Sequence, residues 1–79
     1  MKHTIKPFGI AREIMGGREI RLETAGGTVG ELRNELVATY PRLRDLRSLF
    51  IAVNLAYVND DVVLSETDEI ALIPPVSGG

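Results

Sequence analysis

Apolar positions along this chain switch repeatedly between the two-residue period of a strand and the three-to-four-residue period of a helix. The opening stretch HTIKPF alternates through Ile5, reaches Phe8 after a break, and predicts a strand. Pro7 offers no ladder donor, so it belongs at an edge, at a bulge or near the strand's end. In IAREIMGG, Ile10 and Ile14 stand four apart and predict a short helical turn that stops at Gly16-Gly17. REIRLE alternates again, with Ile20 and Leu22 on one side and charges around them, and predicts a second strand paired with the first.

The strongest signal is TVGELRNELVATYP. Thr28 and Glu31 match a capping box, in which hydroxyl and carboxylate satisfy free backbone donors at a helix start. Val29, Leu32, Leu36 and Tyr40 then form one apolar stripe, and Pro41 ends the helix. RLRDLRSL is basic and irregular, FIAVN is a compact run suited to a buried strand, and LAYVNDD leads to a turn near Asn59, Asp60 and Asp61. VVL is short and apolar, SETDE is a polar turn that could open a brief 3₁₀ piece, and IALIPP is a last strand closed by Pro74-Pro75. One amphipathic helix and one mixed sheet can shield each other's apolar faces in two layers, with the first and last strands parallel at the centre. The order predicts an α+β chain of β-grasp, ubiquitin-like type: one domain over residues 1–79, with 75–79 as a flexible C-terminal tail.

Charge and composition then narrow the chemistry. All nine Lys and Arg and six of the eleven acids fall in residues 1–47, leaving Asp60, Asp61, Glu66, Asp68 and Glu69 as the only charges of residues 48–79. That asymmetry suggests an acidic face, or simply a solvated edge. The net charge of −2 argues against nucleic acid as a partner. The longest apolar run, LFIAV, is too short to cross a bilayer, and the first ten residues have no signal-peptide core, so no membrane partner and a cytoplasmic location are expected. Cysteine is absent, which excludes thiolate nucleophiles, disulfides, zinc–thiolate sites and iron–sulfur clusters. His3, the single histidine, is expected at the surface, and nothing places it beside a serine for a triad. Asp60-Asp61 and Asp68-Glu69 suit turns better than a metal site, and Gly16-Gly17 and Gly26-Gly27 lack the spacing of phosphate loops. No metal site and no tightly bound cofactor are expected.

Chemistry therefore moves to the ending, IPPVSGG. The double proline stiffens the exit from the sheet. Residues 75–79, fully extended, reach roughly 17 Å at about 3.4 Å per residue. Gly78 and Gly79 have no Cβ and can thread a narrow channel, which would deliver a terminal carboxylate into another protein's active site. A carboxylate is a poor electrophile at neutral pH, so an outside enzyme must activate it, for example as an acyl-adenylate. Without cysteine, the terminus is also the available place to carry sulfur.

IPPVSGG, the central IAVN and the early FGIARE together resemble the small, sulfur-carrier subunit of molybdopterin synthase, within the MoaD/ThiS-like β-grasp family. The likeness spans nearly the whole chain, and its specific part is the PPV-x-GG ending. It implies a non-catalytic, sulfur-donating subunit of a sulfurtransferase complex. Gly79 would be adenylated by an E1-like adenylyltransferase using ATP and then converted to a thiocarboxylate by a sulfur donor protein. It would finally give its sulfur to cyclic pyranopterin monophosphate in molybdenum cofactor biosynthesis. The partner implied is the large synthase subunit, in a heterotetramer of two small and two large chains. By motif match, Gly79 carries the sulfur, Gly78 gives access, and Pro74, Pro75, Val76 and Ser77 line the inserted segment. Phe8 and Ile73 match an apolar contact patch, where the family often has an aromatic at the place of Ile73. Two alternatives keep the activated terminus: a carrier for another pathway such as thiamin, and a ubiquitin-like protein modifier. A third, a non-conjugating β-grasp interaction module, has no use for it.

Overall fold

The computed structural model describes residues 1–25, 27–46 and 48–75. Five strands, β1 (Lys2–Pro7), β2 (Ile20–Glu23), β3 (Phe50–Val53), β4 (Ala56–Tyr57) and β5 (Glu69–Ile73), form one mixed sheet in the order β2-β1-β5-β3-β4. β1 runs parallel to β5 at the centre and antiparallel to β2, while β3 is antiparallel to both β5 and β4. Helix α1 (Gly9–Met15) links β1 to β2, and helix α2 (Val29–Thr39) is followed by a 3₁₀ turn over Pro41–Asp45.

The capping box of α2 forms as the residues predict. Glu31 N–H donates to Thr28 Oγ1 at 3.2 Å, and Thr28 N–H donates to Glu31 Oε1 at 3.3 Å. The next two amides, of Val29 and Gly30, donate to the carbonyls of Val62 and Asp60, so the loop after β4 closes over the helix start. Val29, Leu32 and Leu36 are buried and Tyr40 packs at the margin. They meet Ile5, Ile51, Val53, Ile70 and Leu72 from the sheet, with Leu43 and Leu64 closing the ends.

The short helix forms where the Ile10/Ile14 spacing predicts it, but those two residues do not carry its burial. Ile10 is exposed, Ile14 only half-buried, and Ala11 and Met15 carry the burial. Gly9, the first residue of the helix, has a φ of 53°, in the left-handed region open to glycine. Pro7 stands at the end of β1, where a missing donor costs little. The segment Ser65–Asp68 closes as a hydrogen-bonded turn without a 3₁₀ helix.

His3 is the clearest correction. It is 1% exposed, on the face of β1 that carries Ile5 and Pro7 into the core, opposite Leu22 of β2. The strand's period, set by Ile5, turned it inward regardless of its polarity. Neither ring nitrogen has a hydrogen-bond partner. A buried unpaired polar group costs about 1–3 kcal/mol. His3→Leu keeps an inward-facing side chain and removes both nitrogens, so it is expected to stabilise the fold by about 1–2 kcal/mol. Thermal unfolding checks this, at roughly 4–8 °C per kcal/mol for a chain of this size. A lowered midpoint would mean the imidazole contributes packing that Leu cannot replace.

The charge asymmetry of the sequence is partly cancelled in space. Asp60 accepts from the Arg33 guanidinium at 3.1 Å, and Glu69 lies 3.6 Å from Lys6 Nζ. Arg33 also donates to the Leu49 carbonyl, so this one side chain ties α2 to the loop before β3 and to the loop after β4.

Candidate functional site

Alternation gives the sheet two faces. Ile5, Ile51, Val53, Ile70 and Leu72 point into the core. The opposite face should be polar in a two-layer domain, and its β1–β2 half is: Lys2, Thr4, Lys6, Arg21 and Glu23. Its β5–β3–β4 half is not. Cross-strand register sets Ala71 opposite Ala52, Ala52 opposite Tyr57, and Ile73 opposite Phe50. Two small residues thus form a floor between larger walls. The result is a groove of about 220 Å³ lined by Phe8, Ala52, Leu55, Tyr57, Ala71 and Ile73. Tyr57 is 68% exposed and Phe50 52%, and their rings meet edge to face at 5.7 Å. Arg12 holds its guanidinium carbon 6.0 Å from the Phe8 ring centre, placing a positive charge on the rim.

The C-terminal segment leaves from this groove. β5 ends at Ile73. Phe8 N–H donates to the Leu72 carbonyl at 3.0 Å, extending the β1–β5 ladder by one bond. Pro74 is buried, and a Cβ placed on Gly9 would stand 3.2 Å from Pro74 Cγ. Gly9 is thus favoured by its positive φ, and Pro74 packs closely against it. Pro74 therefore anchors the root of the segment to the body, and Pro75 is half-buried. Phe8 and Ile73, far apart in sequence, meet on the groove wall. Val76, Ser77, Gly78 and Gly79 lie outside the described residues.

Sequence reasoning missed Phe50, Leu55 and Tyr57. FIAV and IALI are apolar on both faces, a pattern read as burial. Since the antiparallel part of a two-layer sheet has only one covered face, the second apolar set was the available signal.

The turn beside the groove is firmly held. Asn54 N–H donates to the Glu69 carbonyl at 2.8 Å, its Nδ2 donates to Asp68 Oδ1 at 2.9 Å, and its Oδ1 accepts from Glu69 N–H at 3.0 Å. Asp68 Oδ2 accepts from Ser65 N–H at 2.8 Å. The Ser65 amide, followed by the Asn54 side chain, holds the Asp68 carboxyl below the usual carboxylate range. A lowered folded value stabilises the fold above the unfolded pKa, near pH 4, and that contribution disappears as pH falls through the folded value. The stability gap between the natural chain and Asp68→Asn is therefore expected to narrow on acidification below about pH 4. Urea midpoints measured across that range check it, and a gap independent of pH would contradict it. Among the described residues there is no group of three or more His, Asp or Glu placed to hold a metal ion, and no helix long and apolar enough to cross a membrane.

A mixed sheet with parallel central strands, clasped by one long helix, makes this a ubiquitin-like β-grasp protein. The comparison structures agree. SAMP1 from Haloferax volcanii superposes with a TM-score of 0.81 at 29% identity over 100% of both chains. One chain of a complex of subunits 1 and 2 of molybdopterin-converting factor from Helicobacter pylori gives 0.69 at 28% identity, over 100% of this chain and 100% of that one. A ubiquitin from Caldiarchaeum subterraneum gives 0.64 at 25% identity over 100% of this chain and 98% of that one. Residues 5–79 match the ThiS family, and the chain belongs to that family. Its relatives include the molybdopterin synthase sulfur carrier subunits of Mycobacterium tuberculosis, 40% identical over 100% of this chain and 99% of that one, and of Arabidopsis thaliana, 38% identical over 91% and 77%. Small archaeal modifier protein 1 of Haloferax volcanii is 34% identical over 94% of this chain and 97% of its own.

Proposed function

We propose that this chain is the sulfur-carrier subunit of a molybdopterin synthase, with Gly79 as the sulfur-bearing residue. The observation that carries the reading is the junction of an exposed apolar groove with the root of a segment ending in PPVSGG. A protein seated on the groove receives the segment at a fixed point, because Pro74 is packed against Gly9. The relatives named as sulfur carrier subunits and the two-subunit complex support the same reading.

In the proposed cycle a carboxylate oxygen of Gly79 attacks the α-phosphorus of ATP on an E1-like adenylyltransferase, and pyrophosphate leaves. Hydrosulfide supplied by a sulfur donor protein then attacks the acyl carbon, the C–O bond to AMP breaks, AMP leaves and the S–H proton is lost to solvent, giving a thiocarboxylate. Val76, Ser77 and Gly78 carry that group into the large subunit, where the sulfur passes to cyclic pyranopterin monophosphate. Phe8 and Ile73 seat the groove on both partners, and Pro74 and Pro75 direct the segment. Two carriers would serve two large subunits in a heterotetramer. The carrier supplies position and cargo, and its partners supply the catalytic groups.

Intact-protein mass spectrometry after incubation with the adenylyltransferase, ATP and a sulfur source tests this. The expected result is the mass change of one oxygen exchanged for sulfur, located at Gly79. An unchanged mass in the presence of an enzyme that thiolates its other substrates would sink the proposal. A second reading, as a protein modifier, is favoured by the likeness to small archaeal modifier protein 1. It predicts an isopeptide bond between Gly79 and a lysine of a protein outside the synthase.

A further inference from the structure

We propose that Leu55 is a partner-anchoring residue, an apolar knob held in a strained turn to dock into the protein that takes up the C-terminal segment. The inference rests on the sulfur-carrier reading and adds a specificity-determining contact to it. Asn54 and Leu55 form the two-residue turn between β3 and β4, with φ of 51° and 70°. Both fall in the left-handed region, as a primed hairpin turn requires. Asn tolerates that region and Gly is preferred there, whereas a leucine in it is strained. Strain of this kind persists where the surroundings enforce it and a function uses it.

Here the surroundings do enforce it. Asn54 is fastened to the start of β5 by its amide, its side-chain nitrogen and its side-chain oxygen. Contacts within the chain do not offset the strain, since Leu55 is 92% exposed, the most exposed large apolar side chain among the described residues. It lines the rim of the groove together with Phe8, Ala52, Tyr57, Ala71 and Ile73. An exposed patch of this kind marks a contact surface.

The occupant follows from where the chain goes. β5 ends on the same groove at Ile73, and Gly79 is the sixth residue after Ile73. At about 3.4 Å per residue, a protein that encloses Gly78 and Gly79 stands within roughly 20 Å of Ile73. Such a protein covers the groove and meets Leu55. The complementary surface has an apolar hollow for Leu55 and an acidic group facing Arg12 beside Phe8.

The test is calorimetric binding of the full chain to the recombinant large synthase subunit encoded in the same genome, run beside thermal unfolding. Leu55→Gly removes the side chain and relieves the turn. It is expected to raise the unfolding midpoint while weakening Kd by about tenfold or more, the loss expected when a buried leucine is removed from an interface. Leu55→Met is expected to keep both values near those of the natural chain. Wild-type affinity in Leu55→Gly overturns the anchoring role and leaves the sulfur-carrier reading standing. Weakened binding with a lowered midpoint overturns it too, because the residue then acts through stability. Failure of the natural chain to bind the large subunit overturns both. A natural chain that dimerises, with Leu55→Gly monomeric and its affinity for the large subunit unchanged, overturns the inference by making a second copy the occupant.

Discussion

Deletion of Gly79 is expected to reduce sulfur delivery to background while leaving the folded body and its docking groove intact. Shortening the chain by one residue withdraws its end by about 3.4 Å. Reacting atoms must approach to about 3–3.5 Å, and displacements near 1 Å already cost on the order of a hundredfold. A carboxylate on Gly78 therefore cannot reach both the adenylate-forming site and the large-subunit site. Extension by one residue fails for a related reason, since the acyl group of Gly79 is then an amide and no longer a free carboxylate. Neither change touches the core or Pro74, so unfolding midpoints should match those of the natural chain, and affinity for the large subunit should hold within a few-fold. The measurements are thiocarboxylate formation by mass spectrometry, product formation by the reconstituted complex, and thermal unfolding. Full activity in either variant would remove Gly79 from the chemistry and favour the interaction-module alternative.

The body of the fold was legible because its signals are local. Thr28 and Glu31 define the start of α2 whatever surrounds them, and the Val29–Leu32–Leu36 stripe tells which side is covered. Parallel pairing of β1 with β5 was expected because the apolar last strand suits the protected centre of a single sheet. The misreadings concern phase and context. The spacing of Ile10 and Ile14 predicted the short helix α1, but Ala11 and Met15 are the residues that it buries. His3, close to the first residue, was expected at the surface, but the alternation fixed by Ile5 carries it inward.

At the candidate site, the ending and Phe8 were visible through the family resemblance, while the groove was not. Ala52 and Ala71 are unremarkable in sequence, and only cross-strand register sets them side by side as a floor. Leu55 was hidden differently. An Asn-Gly pair would have announced a hairpin, and Asn54-Leu55 does not. The residue that conceals the turn in the sequence is the most exposed large apolar side chain among the described residues.

Leu72 and Ile73 provide the sharpest separation of folding from docking, because adjacent residues of one strand face opposite ways. Leu72 is 0% exposed, lies between Pro7 of β1 and Ile51 of β3, and belongs to the core. Leu72→Ala is expected to cost about 2–5 kcal/mol. A chain of this length has roughly 4–12 kcal/mol in total, at about 0.05–0.15 kcal/mol per residue, so the variant sits near its unfolding threshold at physiological temperature. Ile73 pairs with Phe50 on the open face and is only half-buried. Ile73→Ala should change stability by less than about 1 kcal/mol, as substitutions away from the core do. It should nevertheless weaken binding to the large subunit by about tenfold, as loss of a central apolar contact does. Urea unfolding and calorimetric titration of both variants, run together, separate the two faces. A large stability loss in Ile73→Ala, or unchanged affinity, would move this face of β5 from docking surface to ordinary packing. The groove's claim to hold the partner beside the root of the tail would go with it.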